Sequence, residues 1–233
     1  MVKSELIKRS PLRILEKSID GGLQKGNIAI LASRKGVGKT ASLVHIATDR
    51  LFQNKPVIHV SYSGRVDYIM NWYEDIFKEI AKKRNLEHAL EVHDEIIRNR
   101  VIMNFKQDGQ ETGKVLENLK AIIEHGNFPA ETIIVDGYDF SKSNPDDFAK
   151  FRAFAMDVKA EVWFSATLKG DEPIFDGDGY PFLLKEFDKG IDVLITLAFT
   201  EDHVKLNLVK NHDKPAKGVL PIRFDPKTML IAE

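Results

Sequence analysis

The sequence predicts a three-layer α/β fold, a mostly parallel sheet flanked by helices, with antiparallel strands at its C-terminal edge. Three observations predict it. Up to about residue 168, short apolar runs alternate with helix-periodic segments, the pattern of a parallel sheet with right-handed crossovers. The first of those runs leads through a glycine-rich turn, Ser33-Arg34-Lys35-Gly36-Val37-Gly38-Lys39-Thr40, into a helical stretch. From Asp192 onward, helical spacing gives way to strand-like stretches joined by short turns.

Taken in order, Leu12, Ile14, Leu15 and Ile19 repeat at helical spacing and stop at Gly21-Gly22, so the spacing predicts a helix over Ser10 to Ile19. Ile28 to Ala32 is the first buried strand, and a helix is expected from about Thr40 to Phe52, ended by Asn54-Lys55-Pro56. Pro56 to Ser61 is short and β-branched, a second buried strand. Val66 to Lys83 carries Ile69, Met70, Trp72, Tyr73, Ile76, Phe77 and Ile80, an amphipathic helix whose aromatics belong to the core. A further helix is expected over Glu87 to Arg98. Its histidines, His88 and His93, are five apart rather than four, which gives no metal pair. Val101 to Phe105 is a strand, Gly113 to His125 a helix, and Thr132 to Val135 a buried strand ending in Asp136. Asn144 and Pro145 read as the cap and first residue of a helix over Asp146 to Lys159, followed by a strand over Glu161 to Ser165. Lys169 to Lys189 is expected as a mobile loop with a short helix near Phe182 to Phe187. Asp192 to Thr200, His203 to Lys210 and Gly218 to Phe224 are expected as three antiparallel edge strands. No linker or internal repeat divides the 233 residues, so one domain is expected.

Composition narrows the function. The formal net charge is −1, so no global basic field points to nucleic acid. The absence of cysteine removes disulfides, thiolate metal sites and cysteine nucleophiles. Met1 to Pro11 lacks the apolar core of a secretion signal, and no run approaches the roughly 20 apolar residues of a membrane span. A soluble, cytoplasmic protein without membrane attachment is the expectation.

Strand, glycine-rich turn and helix, in that order, form the context of a phosphate-binding loop. Glycines let successive N–H groups point into one concavity, and the helix N-terminus adds partial positive charge. Ser33 to Thr40, together with Ala41, are the candidate nucleotide-binding residues. In this pattern Lys39 reaches the outer phosphates of ATP and the Thr40 hydroxyl coordinates Mg²⁺. Ser33 stands where the strict pattern has its first glycine. Asp136 closes an apolar strand and is the candidate second holder of Mg²⁺, since strand and loop both emerge at the carboxyl edge of a parallel sheet. The bland alternatives are a solvated turn at residues 33–40 and a turn-capping aspartate at 136.

Residues 10–60 resemble the RecA-like ATPases, particularly the branch with the DnaB-type replicative helicases and the KaiC clock protein. Gly21-Gly22-Leu23 with Gly26, Arg34 ahead of Gly36-Val37-Gly38-Lys39-Thr40, and Ile133-Ile134-Val135-Asp136 carry the resemblance at the front. Val209-Lys210-Asn211-His212 with Gly218, and Val219 to Asp225, carry it at the end. It covers nearly the whole chain and is weakest from 62 to 130. It implies a RecA-like fold, and a hairpin in which Lys210 and His212 reach a neighbouring subunit's nucleotide. The Lys210 hairpin is compatible with a homo-oligomer, whose form the sequence does not state.

The departures from the family are as informative. The catalytic position that holds a glutamate in the family is Ser63 here, and a serine is no general base without its own activator. The sensing glutamine is replaced at Ala166, and the trans arginine by His212, which lacks the guanidinium fork. The expectation is an ATP- and Mg²⁺-binding regulator or assembly factor, a slow ATPase at most, whose protein partner the sequence does not identify. The alternative is a nucleic-acid-dependent ATPase, a helicase or recombinase accessory. Lys169 to Lys189 has six acids against three lysines, which argues against a nucleic-acid-binding loop. A phosphotransferase using Asp139 as base is a third reading.

Overall fold

The computed structural model describes residues 3–62, 65–86, 88–105, 112–170, 172–212 and 214–232. Among the described residues, nine strands form one mixed sheet: β1 (Ile28–Ser33), β2 (Val57–Ser61), β3 (Arg100–Asn104), β4 (Thr132–Asp136), β5 (Glu161–Thr167), β6 (Val193–Phe199), β7 (Val204–Asn211), β8 (Lys214–Asp225) and β9 (Leu230–Ala232). Their spatial order is β3-β2-β4-β5-β1-β6-β7-β8-β9. The helices are α1 (Lys3–Lys8), α2 (Leu12–Ser18), α3 (Lys39–Phe52), α4 (Val66–Arg84), α5 (Ala89–Arg98), α6 (Thr112–Lys120) and α7 (Pro145–Val158).

The central strands are buried along their whole length because helices cover both faces, which is why they read as unbroken apolar runs. The pleat still sorts their side chains. Ala29, Leu31, Ile134, Trp163, Val193 and Ile195 join one core with α3, α4 and α5. Ile28, Ile30, Ile133, Val135, Val162 and Phe164 join the other with α6 and α7. Phe140, Phe148, Phe151, Phe164 and Phe187 pack edge to face in that second layer at centroid separations of 5.1–5.9 Å. The Asn144 side chain accepts from the Asp147 N–H, so the cap read from Asn144-Pro145 forms as expected.

Three expectations need correction. The strand over Asp192 to Thr200 is not an antiparallel edge. β6 runs parallel to β1, in register Ala29 to Val193, and antiparallel to β7, and β7, β8 and β9 continue the antiparallel pairing outward. β8 begins before Gly218 and spans 12 residues, and β9 is an additional strand. Lys3–Lys8 forms a short additional helix. The helix after residue 112 ends in a widened π-turn over Ala121–His125 rather than as a regular α-helix. Glu87, the expected start of α5, lies outside the described residues.

Candidate functional site

The loop after β1 bends where glycine is needed. Gly36 and Gly38 have φ of 84° and 110°, in the left-handed region, whereas Ser33 closes β1 in register with Thr167 and takes no positive φ. A serine therefore fits at residue 33, and the loss of the first glycine has no backbone consequence. Gly38 is the residue from which α3 starts, and no described residue accepts from the N–H groups of Gly36, Val37 or Gly38. The loop thus presents backbone donors at a helix N-terminus, the arrangement that favours an anion.

Lys39 is the buried cation of the loop. Its Nζ donates to the Ser33 carbonyl at 3.1 Å, the Ser33 Oγ at 3.2 Å and the Arg34 carbonyl at 2.9 Å. Burial pushes the ammonium down to about 8, with the Asp136 carboxylate opposing the shift. Asp136, at the end of β4, accepts from the Thr40 Oγ1 at 2.9 Å through one oxygen and from the Ser165 Oγ at 2.6 Å through the other. Ser165 Oγ in turn accepts from the Gly137 N–H at 2.8 Å, so hydroxyl and backbone together fix the carboxylate.

Around these groups lies a cleft of about 460 Å³, lined by Lys35 to Ala41, Asp136, Gly137, Ser165 and Thr167. Its apolar rim comes from Tyr62, Tyr68, Trp72, Phe199, Phe224 and Met229. Asp136 is the one carboxylate among the described residues that line it. Among the described residues, no group of three or more histidines and acids could hold a metal by itself. A P-loop Mg²⁺ needs no such cage, since phosphates and water supply most of its ligands. Thr40 and Asp136, hydrogen-bonded to each other beside unpaired loop N–H groups, fit that smaller requirement.

The structure thus gathers Lys35 to Ala41 around one cleft with Asp136, and Ser33 joins them through Lys39. Arg34 turns away from the cleft. Its guanidinium donates to the Gly170 carbonyl at 3.2 Å and pairs with Glu172 at 2.8 Å, tying the loop to the segment after β5. Ser63 lies outside the described residues. β2, which leads to it, ends with Ser61 opposite Asp136, and the Tyr62 N–H donates to the Asp136 carbonyl at 2.9 Å.

Lys210 and His212 are engaged within their own chain. Lys210 Nζ donates to the Asp188 carbonyl at 2.7 Å and its carboxylate at 3.0 Å, while His212 Nε2 lies 3.4 Å from the Ile19 carbonyl. Asp139 caps a 3-10 turn at Phe140–Lys142, accepting from the Ser141 N–H and Oγ and from Lys169. Burial pushes its carboxyl up, yet those hydrogen bonds hold it below the usual range, which suits a turn residue and not a base.

Ser165 was missed in the sequence. Strand alternation puts Ser165 and Thr167 at the cleft and Ala166, fully buried, on the opposite face. The period-two pattern beside a strand that ends in aspartate was the available signal.

No protein-family model matches this chain, and a search of curated proteins returns no match to it. Among the described residues, no helix is long and apolar enough to cross a membrane.

Proposed function

We propose that this protein binds ATP with Mg²⁺ in the cleft at residues 33–41 and holds it, acting as a nucleotide-dependent regulator or assembly factor. One observation carries the reading: a buried lysine, a threonine in the first turn of α3 and a strand-end aspartate meet beneath a glycine-bent loop whose N–H groups have no acceptor among the described residues. When bound, the magnesium ion would neutralise charge on the outer phosphates. The protein's own groups do the remaining work. Lys39 exchanges the Ser33 and Arg34 carbonyls for phosphate oxygens, and the loop N–H groups supply further donors. Ser165 keeps Asp136 aimed at Thr40.

Hydrolysis is expected to be slow. A general base contributes about 10²–10⁴-fold, and Asp136, the one described carboxylate of the cleft, is committed to Thr40 and Ser165. An arginine finger contributes about 10³–10⁵-fold, and His212 supplies no guanidinium in its place.

Trp72 lines the cleft and Trp163 is buried in the core, so tryptophan fluorescence can report ATP binding. Titration with ATP and Mg²⁺ should saturate, and Lys39→Ala should weaken binding by about 10-fold or more, the loss of one charge-assisted contact. Steady-state phosphate release should stay well below about 1 s⁻¹, an ordinary enzyme rate, and Ser63→Glu should raise it. Absence of saturable ATP binding would overturn the nucleotide reading. Turnover above that rate would overturn holding alone.

A further inference from the structure

A second cavity of about 360 Å³ lies away from the nucleotide cleft, where α1, α3, the last turn of α4, β8 and β9 meet. Its floor is apolar, built from Leu6, Phe52, Ile80 and Leu230. His45, 4% exposed, lines it from α3. The Ile231 N–H donates to His45 Nδ1 at 2.9 Å, so Nδ1 carries no proton. Burial, with Lys83 and Arg84 nearby, drives the imidazole down to about 3, so the ring is neutral and Nε2 bears the hydrogen. That N–H has no acceptor among the described residues.

Three cations share the lining: Lys83, Arg84 and Arg223. Arg84 donates to the Arg9 carbonyl, and none of the three makes an ion pair with a described residue. The two acids of the lining are already occupied. Asp49 takes Arg13 and Gln53, and Asp225 takes the Lys227 N–H and the Thr228 hydroxyl. Asp225 also feels the Lys83 charge, which leaves Arg84 and Arg223 as the cations without an acid in the lining. With Asp49 neutralised by Arg13, the cavity keeps an excess of positive charge over an apolar floor. Size, apolar lining and a few convergent donors are the marks of a small-molecule site.

We infer that this cavity binds a compact organic anion, a carboxylate or phosphate group carrying an apolar body, with the anion held by His45 Nε2–H and Arg84 and the body laid on Phe52 and Ile80. The site uses none of the groups of the nucleotide cleft, so it stands or falls apart from the ATP reading.

The test is calorimetric titration of the full chain, in the Lys39→Ala background so that phosphate binding at the loop does not contribute. The probes are 3-phenylpropanoate, phenyl phosphate and the neutral 3-phenylpropanol. Both anions should bind with a dissociation constant of about 1 mM or tighter, and the alcohol about tenfold more weakly. Arg84→Gln, a half-buried site whose loss leaves the core intact, should weaken both anions about fivefold or more without affecting the alcohol. In the unsubstituted Arg84 protein the His45 imidazole NMR signals should move on titration. Equal binding of acid and alcohol, no saturable binding of either anion, or unchanged affinity in Arg84→Gln would each overturn the inference.

Discussion

Gly38→Ala tests the loop, the start of α3 and the C-terminal strands in one change. Gly38 has φ 110° and ψ 15°, and a Cβ added there would lie 2.5 Å from Phe224 Cε1 and 2.9 Å from Cδ1 and Cζ. Two costs follow. The backbone conformation is strained for any L side chain, about 1–3 kcal/mol. The ring cannot swing clear, because Phe224 is 2% exposed and paired in β8 between Val204 of β7 and Ile231 of β9. Overpacking of that kind costs about 1–3 kcal/mol. Together the variant should lose about 2–6 kcal/mol, a large share of the 5–15 kcal/mol of an ordinary domain. Urea unfolding should show a lower midpoint with an unchanged slope. Phe224→Leu shortens the ring's reach, so the double variant should recover about 0.5–3 kcal/mol relative to additivity. It should not recover the backbone part. A loss below about 1 kcal/mol, or strict additivity of the two changes, would refute the packing of Phe224 against the loop.

Three further outcomes are expected. His45 and His59 are buried and depressed by desolvation to about 3 and about 4, below the ordinary 6.5. The unfolded chain therefore binds protons that the folded one refuses, and stability should fall as pH drops from about 6.5 towards 4, by up to about 1.4 kcal/mol per pH unit for each histidine. His45→Gln should flatten that slope in pH-dependent urea midpoints. Arg50, at the base of α3, pairs with both Glu161 oxygens at 2.6 and 3.1 Å and with Glu16. Arg50→Met leaves Glu161 buried and uncompensated and should cost about 3–5 kcal/mol in thermal or urea unfolding, while Arg50→Met with Glu161→Leu should regain most of it. Because Lys39 sits at about 8 in the free protein, ATP affinity should decline as pH rises through 8. A flat ATP affinity between pH 7 and 9 would place the lysine outside the phosphate contact.

Much of the architecture was legible because two periods sufficed to read it. α3, α4 and α7 fall within a residue or two of their expected bounds, since apolar spacing, Asn144-Pro145 and Asn54-Lys55-Pro56 are local signals. The loop was equally legible, because glycine, lysine and threonine at fixed offsets after a buried strand specify a backbone shape. β6 was misplaced for a physical reason. An apolar run pairs in either direction, and nothing within residues 192–200 states that it lies parallel to β1 on one side as well as antiparallel to β7 on the other. β9 is three residues long and takes its identity from pairing with Arg223 to Asp225, which are distant in neither sequence nor space but carry no periodic sign of it.

By itself the sequence determined the layers, the glycine-bent loop before α3 and the acid at the end of β4, because each rests on chemistry within a few consecutive residues. Tertiary structure decided which side chains complete them. Ser165, rather than Ala166, reaches Asp136, because the pleat turns alternate residues to opposite faces. Arg34 is drawn to Glu172 and Lys210 to Asp188, pairings across 138 and 22 residues that no local pattern encodes. The His45 cavity likewise exists only where α3, α4 and the last two strands converge. Local chemistry could name the lysine and the aspartate of the site. The partners of Asp136 and the second cavity follow from long-range packing.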